Sequence, residues 1–141
     1  MNPTTNDTAA RLRRGITRMH RKLRSSSLGG VSPAQASMLA SIDKLERPSL
    51  GDLALAEQIQ PPSVTKLVKG MEAAGLITTL VDPADRRCTR VRLSALGKKE
   101  LNAIRQRKTE FLERKLLALS LADQEKAEAF ATFLEVLLED E

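Results

Sequence analysis

Apolar residues recur along most of this chain at intervals of three and four positions, the spacing found on the buried side of amphipathic helices. Most of these stripes follow a serine or a proline, residues suited to the first turn of a helix. The pattern predicts six helices, which begin in chain order near residue 5 and at Ser32, Ser49, Pro61, Ser94 and Ser120. The chain is therefore predicted to be mostly helical.

The apolar stripes can be assigned helix by helix. Helix 1, over roughly residues 5–25, carries a narrow stripe of Leu12, Ile16, Met19 and Leu23, and helix 2 would bury Leu39, Ile42 and Leu45. Helices 3 and 4 would bury Leu50, Leu53, Ala54, Val64, Leu67, Val68 and Met71. Helix 5 carries a drifting stripe of Leu101, Ile104, Phe111, Leu112 and Leu116. Helix 6 is apolar over much of its surface, through Ala127, Ala131, Leu134, Val136, Leu137 and Leu138.

Between residues 76 and 93 the spacing changes from helical to alternating. The segment from Leu76 to Val81 is apolar and β-prone, and Asp82-Pro83 then opens a turn. In the following stretch Thr89, Val91 and Leu93 alternate with Cys88, Arg90 and Arg92. This pattern predicts a β-hairpin whose second strand has a basic outer face and whose tip carries Asp85, Arg86 and Arg87. Two adjacent arginines on a solvated tip suit a polyanion, although an ordinary basic turn fits the segment equally well.

The helix just upstream of the hairpin has a polar side that suits DNA. It begins at Pro61, where proline costs no hydrogen bond, and Gly75 is placed to end it in a left-handed conformation. Opposite its apolar stripe lie Ser63, Thr65, Lys66 and Lys69. Hydroxyls and ammonium groups can contact phosphates and base edges. The alternative is a solvated face, as on most charged helices.

The order of the elements predicts a winged helix-turn-helix. Helix 3, capped by Ser49 with Asp52 three residues later, leads through a brief connection into the helix at Pro61 and then into the basic hairpin, or wing. Arg47-Pro48 would add a minimal strand beside the wing. In this arrangement the helix after the turn enters the major groove of DNA.

Four segments of the chain resemble the MarR family of bacterial transcription regulators. They are Pro62–Val68, Gly75–Ile77, Asp82–Arg87 and Val91–Gly97, ordered and correctly spaced. Many members carry an acidic-basic pair where this chain has Lys69-Gly70, and the glycine would cost the helix up to ~1 kcal/mol relative to alanine. From the residues and the resemblance together, the candidate contacts to double-stranded DNA are Pro62, Ser63, Thr65, Lys66, Lys69, Asp85, Arg86, Arg87 and Arg90.

Helices 1, 5 and 6 carry more apolar surface than a helix-turn-helix of this size can cover. Two chains that pack these helices together would bury the excess, which predicts a two-fold homodimer. The resemblance implies the same dimer, with two winged regions below a helical crown. It also implies a small-molecule effector between the crown and the winged region, where any pocket would be aliphatic with basic groups such as Arg13, Arg14 or Arg18 at its edge.

Composition and charge indicate in which compartment the protein acts and which kinds of partner it can bind. The 141 residues amount to one domain, and a net charge of +5 with a pI near 9.7 is compatible with nucleic acid. Residues 1–30 carry seven basic side chains and one acidic, whereas residues 119–141 carry one basic and seven acidic. The single cysteine and the polar first ten residues favour a cytoplasmic protein without a signal peptide. No apolar run approaches the ~18 residues that a membrane span requires.

The sequence gives no support for catalysis, a metal site or a cofactor. His20, on the basic side of helix 1, has no partner at metal-ligand spacing, and there is no phosphate-binding loop or nucleophile motif. Cys88 follows two arginines that could lower its thiol pKa, so an oxidant sensor and a bystander are both open, with the bystander favoured.

We therefore expect a single mostly helical domain over residues 1–141, with a small β-wing. Residues 31–93 would form the winged DNA-binding region, and residues 1–30 and 94–141 the helical dimerisation region. The protein is expected to be a dimeric transcription regulator that represses transcription from a pseudo-palindromic operator. A small-molecule effector would relieve this repression. Two alternatives from other classes are a helical protein-interaction module with a basic hairpin and a DNA-architectural protein without specific readout.

Overall fold

The computed structural model describes residues 2–139 and contains six helices and one two-stranded sheet in that range. The elements are α1 (Thr5–Ser27), α2 (Pro33–Leu45), α3 (Leu50–Glu57), α4 (Pro61–Ala73), β1 (Ile77–Val81), β2 (Thr89–Leu93), α5 (Ala95–Leu117) and α6 (Leu121–Leu138). The predicted fold class, a mostly α winged helix-turn-helix, is confirmed. Residues 1, 140 and 141, which the predicted single domain includes, lie outside the described residues.

The helices begin where the sequence predicts because their caps form. Ser32 and Ser49 each accept a hydrogen bond from the backbone N–H three residues later, and the side chains of Gln35 and Asp52 each accept the backbone N–H of the capping serine. Ser94 and Ser120 cap α5 and α6 in the simpler way, without the reciprocal bond. Each cap satisfies N–H groups that have no partner within the helix and is worth about 1 kcal/mol.

The core lies between α2, α3, α4, the sheet and the first half of α5. Its buried side chains are Met38, Leu39, Ile42, Leu53, Val64, Val68, Met71, Leu76, Ile77, Val91, Leu93, Leu101 and Ile104. The predicted burial of Leu45 is wrong, since this side chain is 41% exposed. It is the last residue of α2, and the chain turns away at Glu46 and Arg47, both with positive φ. Met38, which the predicted stripe omitted, is fully buried instead.

The wing is an antiparallel hairpin in which Ile77 pairs with Leu93 and Val81 with Thr89. Val91 and Leu93 point into the core, so the alternation predicted for this strand is confirmed. The minimal strand predicted at Arg47-Pro48 is present at Pro48, whose carbonyl accepts the N–H of Val91 at 2.9 Å. It continues at Ser49, which bridges Arg90, but it does not include Arg47. Arg47 has a φ of 54°, a left-handed conformation that does not fit a strand.

The start of α5 packs closely against the residues that join α4 to the wing. The backbone N–H of Ser94 donates to the carbonyl of Leu76 at 3.0 Å, and its hydroxyl donates to the carbonyl of Gly75. Gly97 approaches so closely that a Cβ atom there would lie 2.0 Å from the Leu76 carbonyl oxygen. Only glycine fits at this position, which fixes α5 against the winged region.

Helices α1 and α6 leave much apolar surface uncovered in the single chain. No described residue of α6 is buried, and Ser27 is the one buried residue of α1. The exposed apolar side chains of the two helices include Ile16, Met19, Leu121, Phe130, Phe133, Val136, Leu137 and Leu138. Over residues 2–139, no helix is long and apolar enough to cross a membrane.

Candidate DNA-binding surface

The helix α4 presents a continuous polar face to solvent. Val64, Val68 and Met71 anchor its opposite side in the core. The predicted contact residues on its free side are all exposed: Pro62, Ser63, Thr65, Lys66 and Lys69. The helix continues through Gly70, and Gly75 ends it with a φ of 78°, as the sequence predicts. Neither Lys66 nor Lys69 forms an ion pair with any described carboxylate, so both ammonium groups are free to meet an anion.

The turn that joins α3 to α4 is fixed from two sides. Gln58 ends α3 in a left-handed conformation with a φ of 55°, and the backbone N–H of Ile59 donates to the carbonyl of Ala54 at 3.1 Å. Glu57 receives hydrogen bonds from the hydroxyls of Ser37 and Ser41 on α2, which ties the end of α3 to its neighbour. The three helices of this region therefore form one unit that holds the polar face of α4 outward.

The wing tip is ordered by short-range hydrogen bonds. The carboxylate of Asp82 accepts the backbone N–H of Ala84 at 2.9 Å, and the carbonyl of Asp85 accepts the N–H of Cys88 at 2.9 Å. Asp85 Oδ1 also accepts the backbone N–H of Arg87 at 3.0 Å and its Nε–H at 3.3 Å. One carboxylate oxygen of Asp85 thus holds both the backbone and the side chain of Arg87.

The two arginines at the tip are fully available to a partner. The Arg87 side chain is 93% exposed even though Asp85 holds one of its nitrogens. Arg86 is exposed and has no carboxylate within ion-pair distance among the described residues. In the middle of β1, the Thr79 hydroxyl donates a hydrogen bond to the Glu72 carboxylate, which attaches the wing to α4. The basic tip and the polar face of α4 therefore belong to one connected region.

Arg90 differs from the other predicted contact residues because two carboxylates hold its guanidinium. Its Nε lies 3.2 Å from Asp82 Oδ2, and its Nη1 lies 3.5 Å from Asp52 Oδ2. Hydrogen bonds from the backbone N–H of Ala84 and from Arg90 hold the pKa of Asp82 below its usual range, and the partners of Arg90, Asp82 first, raise its own pKa. Hydrogen bonds from Ser49, and then the charge of Arg90, lower the pKa of Asp52. Sequence reasoning predicted a DNA contact at Arg90 and missed this network.

The remaining candidate residues form no reactive centre in the described part of the chain. Cys88 is half-buried at the wing, and the thiol is free. His20 lies on α1 at an open cleft of about 680 Å³ whose apolar lining includes Ile16, Met19, Phe130 and Leu134. Residues 2–139 contain no group of three or more histidine, cysteine or acidic side chains that could hold a metal ion.

Comparisons with known proteins agree with this architecture. A model of the MarR family matches residues 31–89, the stretch from α2 through the wing tip. An uncharacterized HTH-type transcriptional regulator from Mycobacterium bovis is 26% identical over 133 residues, which cover 94% of this chain and 93% of the relative.

Solved structures extend the similarity to the whole helical scaffold. A transcriptional regulator from Pseudomonas aeruginosa is 30% identical, with a TM-score of 0.81 over 96% of this chain and 97% of the other. One from Thermotoga maritima is 24% identical, with a TM-score of 0.80 over 93% and 96%. A mutant of MepR from Staphylococcus aureus, bound to an oligodeoxyribonucleotide, is 22% identical, with a TM-score of 0.71 over 93% and 97%. The last two similarities concern the fold alone.

Proposed function

Because this chain belongs to the MarR family of transcription regulators, we propose that it binds double-stranded DNA as a homodimer and represses transcription from a pseudo-palindromic operator. The observation that carries the proposal is the exposed pair Arg86 and Arg87 at an ordered wing tip that is attached to the polar face of α4. A helix of this shape fits the major groove, while a basic tip fits the phosphates or the minor groove beside it.

The proposed contacts divide into two kinds. Lys66, Lys69, Arg86 and Arg87 are long cationic side chains that would neutralise phosphates and so supply most of the affinity. Ser63 and Thr65 lie near the start of α4, where side chains of a recognition helix reach base edges. The Thr65 hydroxyl donates to the carbonyl of Pro61 at 3.1 Å, which leaves its oxygen as an acceptor for a base amino group. Pro62 would bring the backbone of this turn close to the DNA, and Asp85 would act through Arg87.

The dimer would present two copies of this surface to one DNA duplex. We propose that the two subunits contact each other through the uncovered apolar surface of α1 and α6, together with the second half of α5. Two α4 helices related by a two-fold axis would read half-sites one helical turn apart, about 34–36 Å. A symmetric protein of this kind selects a pseudo-palindromic site.

We further propose that an anionic small molecule with an apolar body relieves repression. An open groove of about 790 Å³ runs beside the second half of α1 and is lined by Arg18, Lys22, Met19, Leu28 and Pro33. Its cations would hold the anionic group, and its apolar residues would contact the body of the ligand. Because the groove adjoins the start of α2, an occupant there could change how the dimerisation helices meet the winged region. This regulator would act in the cytoplasm.

The experiment that tests the proposal is a selection from random-sequence double-stranded DNA with the full-length protein, followed by sequencing. We expect an enriched pseudo-palindromic motif, and fluorescence anisotropy should show that the selected duplex binds more tightly than a scrambled duplex of the same composition. Placing the motif across a promoter should lower reporter expression when the protein is present. Binding of equal strength to selected and scrambled duplexes would point instead to an architectural protein. Weak binding that disappears at moderate salt would point to a protein-interaction module.

A further inference from the structure

The Arg90 network joins the wing to the first helix of the helix-turn-helix. One carboxylate, Asp82, lies at the start of the wing turn, and the other, Asp52, lies in the first turn of α3. Arg90 itself lies on β2 and bridges Ser49, the residue that caps α3. A single side chain therefore touches two elements whose relative position decides whether the wing and α4 can reach the same DNA.

Both carboxylates are themselves fixed by the backbone. Asp82 Oδ1 accepts the N–H of Ala84 at 2.9 Å, so its other oxygen is aimed at Arg90. Asp52 Oδ2 accepts the N–H of Ser49 at 2.9 Å as half of the α3 capping box. Exposed ion pairs contribute little when both partners are flexible, and more when their geometry is already fixed in a network. Arg90 thus connects two rigid anchor points rather than two mobile side chains.

We propose that Arg90 is a positioning residue, which sets the angle of the wing relative to α3 and α4, and that it does not contact DNA. The proposal rests on the DNA binding proposed above. Arginine suits this task because its planar fork can donate to two acceptors at once, whereas a lysine ammonium on a flexible stem cannot hold the same geometry. Its two carboxylates also explain why Arg90, unlike Arg87, is only 39% exposed at its side chain.

The substitution Asp82→Asn distinguishes a positioning role of Arg90 from a phosphate contact, because the two roles predict opposite changes in DNA affinity. The amide keeps the acceptor for the Ala84 N–H and the size of the side chain, but removes the charge that holds Arg90. If Arg90 were a phosphate contact, its release together with one more net positive charge would tighten DNA binding. If Arg90 positions the wing, binding weakens, by about twofold to fivefold for a network of exposed pairs.

Two further variants complete the comparison. Arg90→Lys keeps the charge but not the fork, so positioning predicts a similar loss of affinity with an unchanged slope of log affinity against log salt. A phosphate contact predicts little loss, because lysine binds phosphate as a point charge. Asp123→Asn is the matched control: it makes the same chemical change away from the wing, in the first turn of α6, at an ion pair with Lys126. We expect it to bind DNA like the parent.

A second readout follows the wing without DNA. Cys88 is the single cysteine of the chain and lies in the wing, so a nitroxide label can be attached there and followed by electron paramagnetic resonance. Positioning predicts that Asp82→Asn and Arg90→Lys make the label more mobile, while Asp123→Asn leaves the spectrum unchanged. Thermal unfolding followed by circular dichroism should show that all variants are folded.

The decisive titration uses the duplex selected from random-sequence DNA with the parent protein, at fixed salt, by fluorescence anisotropy. Weaker binding by Asp82→Asn, together with a more mobile label, supports the assignment. Equal or tighter binding by Asp82→Asn, or an unchanged spectrum, overturns it. A parent protein that enriches no duplex would contradict the proposed function instead, and the spectra would still decide whether Arg90 holds the wing.

Discussion

At the scale of single residues, the wing tip shows how a local hydrogen bond can prepare a side chain for binding. Asp85 Oδ1 holds both the backbone N–H and the Nε–H of Arg87, while the rest of that guanidinium stays in solvent. A freely rotating arginine loses side-chain entropy of up to ~2 kcal/mol when it docks. Part of that cost is already met in the free protein, because Asp85 restricts Arg87 beforehand.

The pair Arg87→Ala and Asp85→Ala tests this preparation. Arg87→Ala should weaken DNA binding, and if Arg87 neutralises one phosphate, the slope of log affinity against log salt should become shallower by about 0.9. Asp85→Ala removes an acidic group, so long-range electrostatics alone predicts tighter binding, whereas bracing predicts weaker binding. Fluorescence anisotropy at fixed salt separates the two. Tighter binding by Asp85→Ala would mean that the wing is only a basic tip.

At the scale of elements, the contact between α5 and the winged region is packed so closely that it leaves no space for a larger side chain. A Cβ atom on Gly97 would lie 2.0 Å from the carbonyl oxygen of Leu76, and that carbonyl also accepts the N–H of Ser94. A backbone carbonyl cannot move aside as a flexible side chain can, so any substitution must shift α5 itself. The helix α5 and the winged region are therefore coupled through backbone contact.

We predict that Gly97→Ala destabilises the fold by about 1–3 kcal/mol, the usual cost of inserting an atom where the structure is already packed. Gly70→Ala is the matched control, because Gly70 lies inside α4 with nothing within 4 Å of an added Cβ. There alanine should stabilise the helix by up to ~1 kcal/mol. Urea unfolding followed by circular dichroism measures both changes. Equal stability of Gly97→Ala and the parent would show that the contact is not tight.

The recognition helix makes a separate prediction about specificity. Ser63, Thr65 and Lys66 are exposed on α4, opposite Val64 and Val68. If they contact bases, single alanine substitutions should change which operator is preferred, and each good base contact carries ~1–3 kcal/mol. If they contact phosphate alone, affinity should fall evenly on all sequences. Repeating the random-sequence selection with each variant distinguishes the outcomes, and equal losses on selected and scrambled duplexes for all three would exclude direct readout.

The elements themselves were predictable from the sequence because their signals are local. Caps at Ser32, Ser49 and Ser94, the alternation in β2 and the left-handed Gly75 each depend on a few neighbouring residues, and all are confirmed. The role of Gly97 was not visible, since it depends on a carbonyl that only the folded chain brings near.

The sequence predicted which residues belong to the candidate site, but not which side chains form ion pairs and hydrogen bonds with each other there. The sequence predicted that Asp85 and Arg87 share the wing tip, and the contact between them spans only two residues. The network of Arg90 joins positions 52 and 82, and nothing in the sequence indicates which carboxylates a cation on β2 will meet. The hydrogen bonds from Ser37 and Ser41 to Glu57 are of the same long-range kind. Leu45 was misplaced because periodicity alone cannot tell where a helix ends.

At the scale of the whole molecule, both the apolar surface and the charge of the chain are unbalanced. Residues 1–30 carry seven basic side chains, and none of them forms an ion pair with a carboxylate in residues 2–139. Residues 119–141 carry seven acidic side chains, of which Asp123 alone is paired within the described residues. Opposite charges on α1 and α6 would attract across a subunit interface whose centre is apolar.

The final prediction is that the protein is a dimer at micromolar concentration. The prediction rests on the uncovered apolar surface of α6. No described residue of this helix is buried, and Phe130, Phe133 and Leu137 are each about half exposed. A patch of this kind on a monomer would be unusual, because large exposed apolar patches mark interaction sites. Phe133→Glu should place a charge in the interface and shift sedimentation towards the monomer. The matched control is Leu55→Glu, at an 81% exposed position of α3 outside the proposed interface, which should sediment like the parent. Deleting residues 120–141 should leave a monomeric or aggregating product. A full-length parent that sediments as a monomer at this concentration would refute the dimer and, with it, the two-fold reading of a pseudo-palindromic operator.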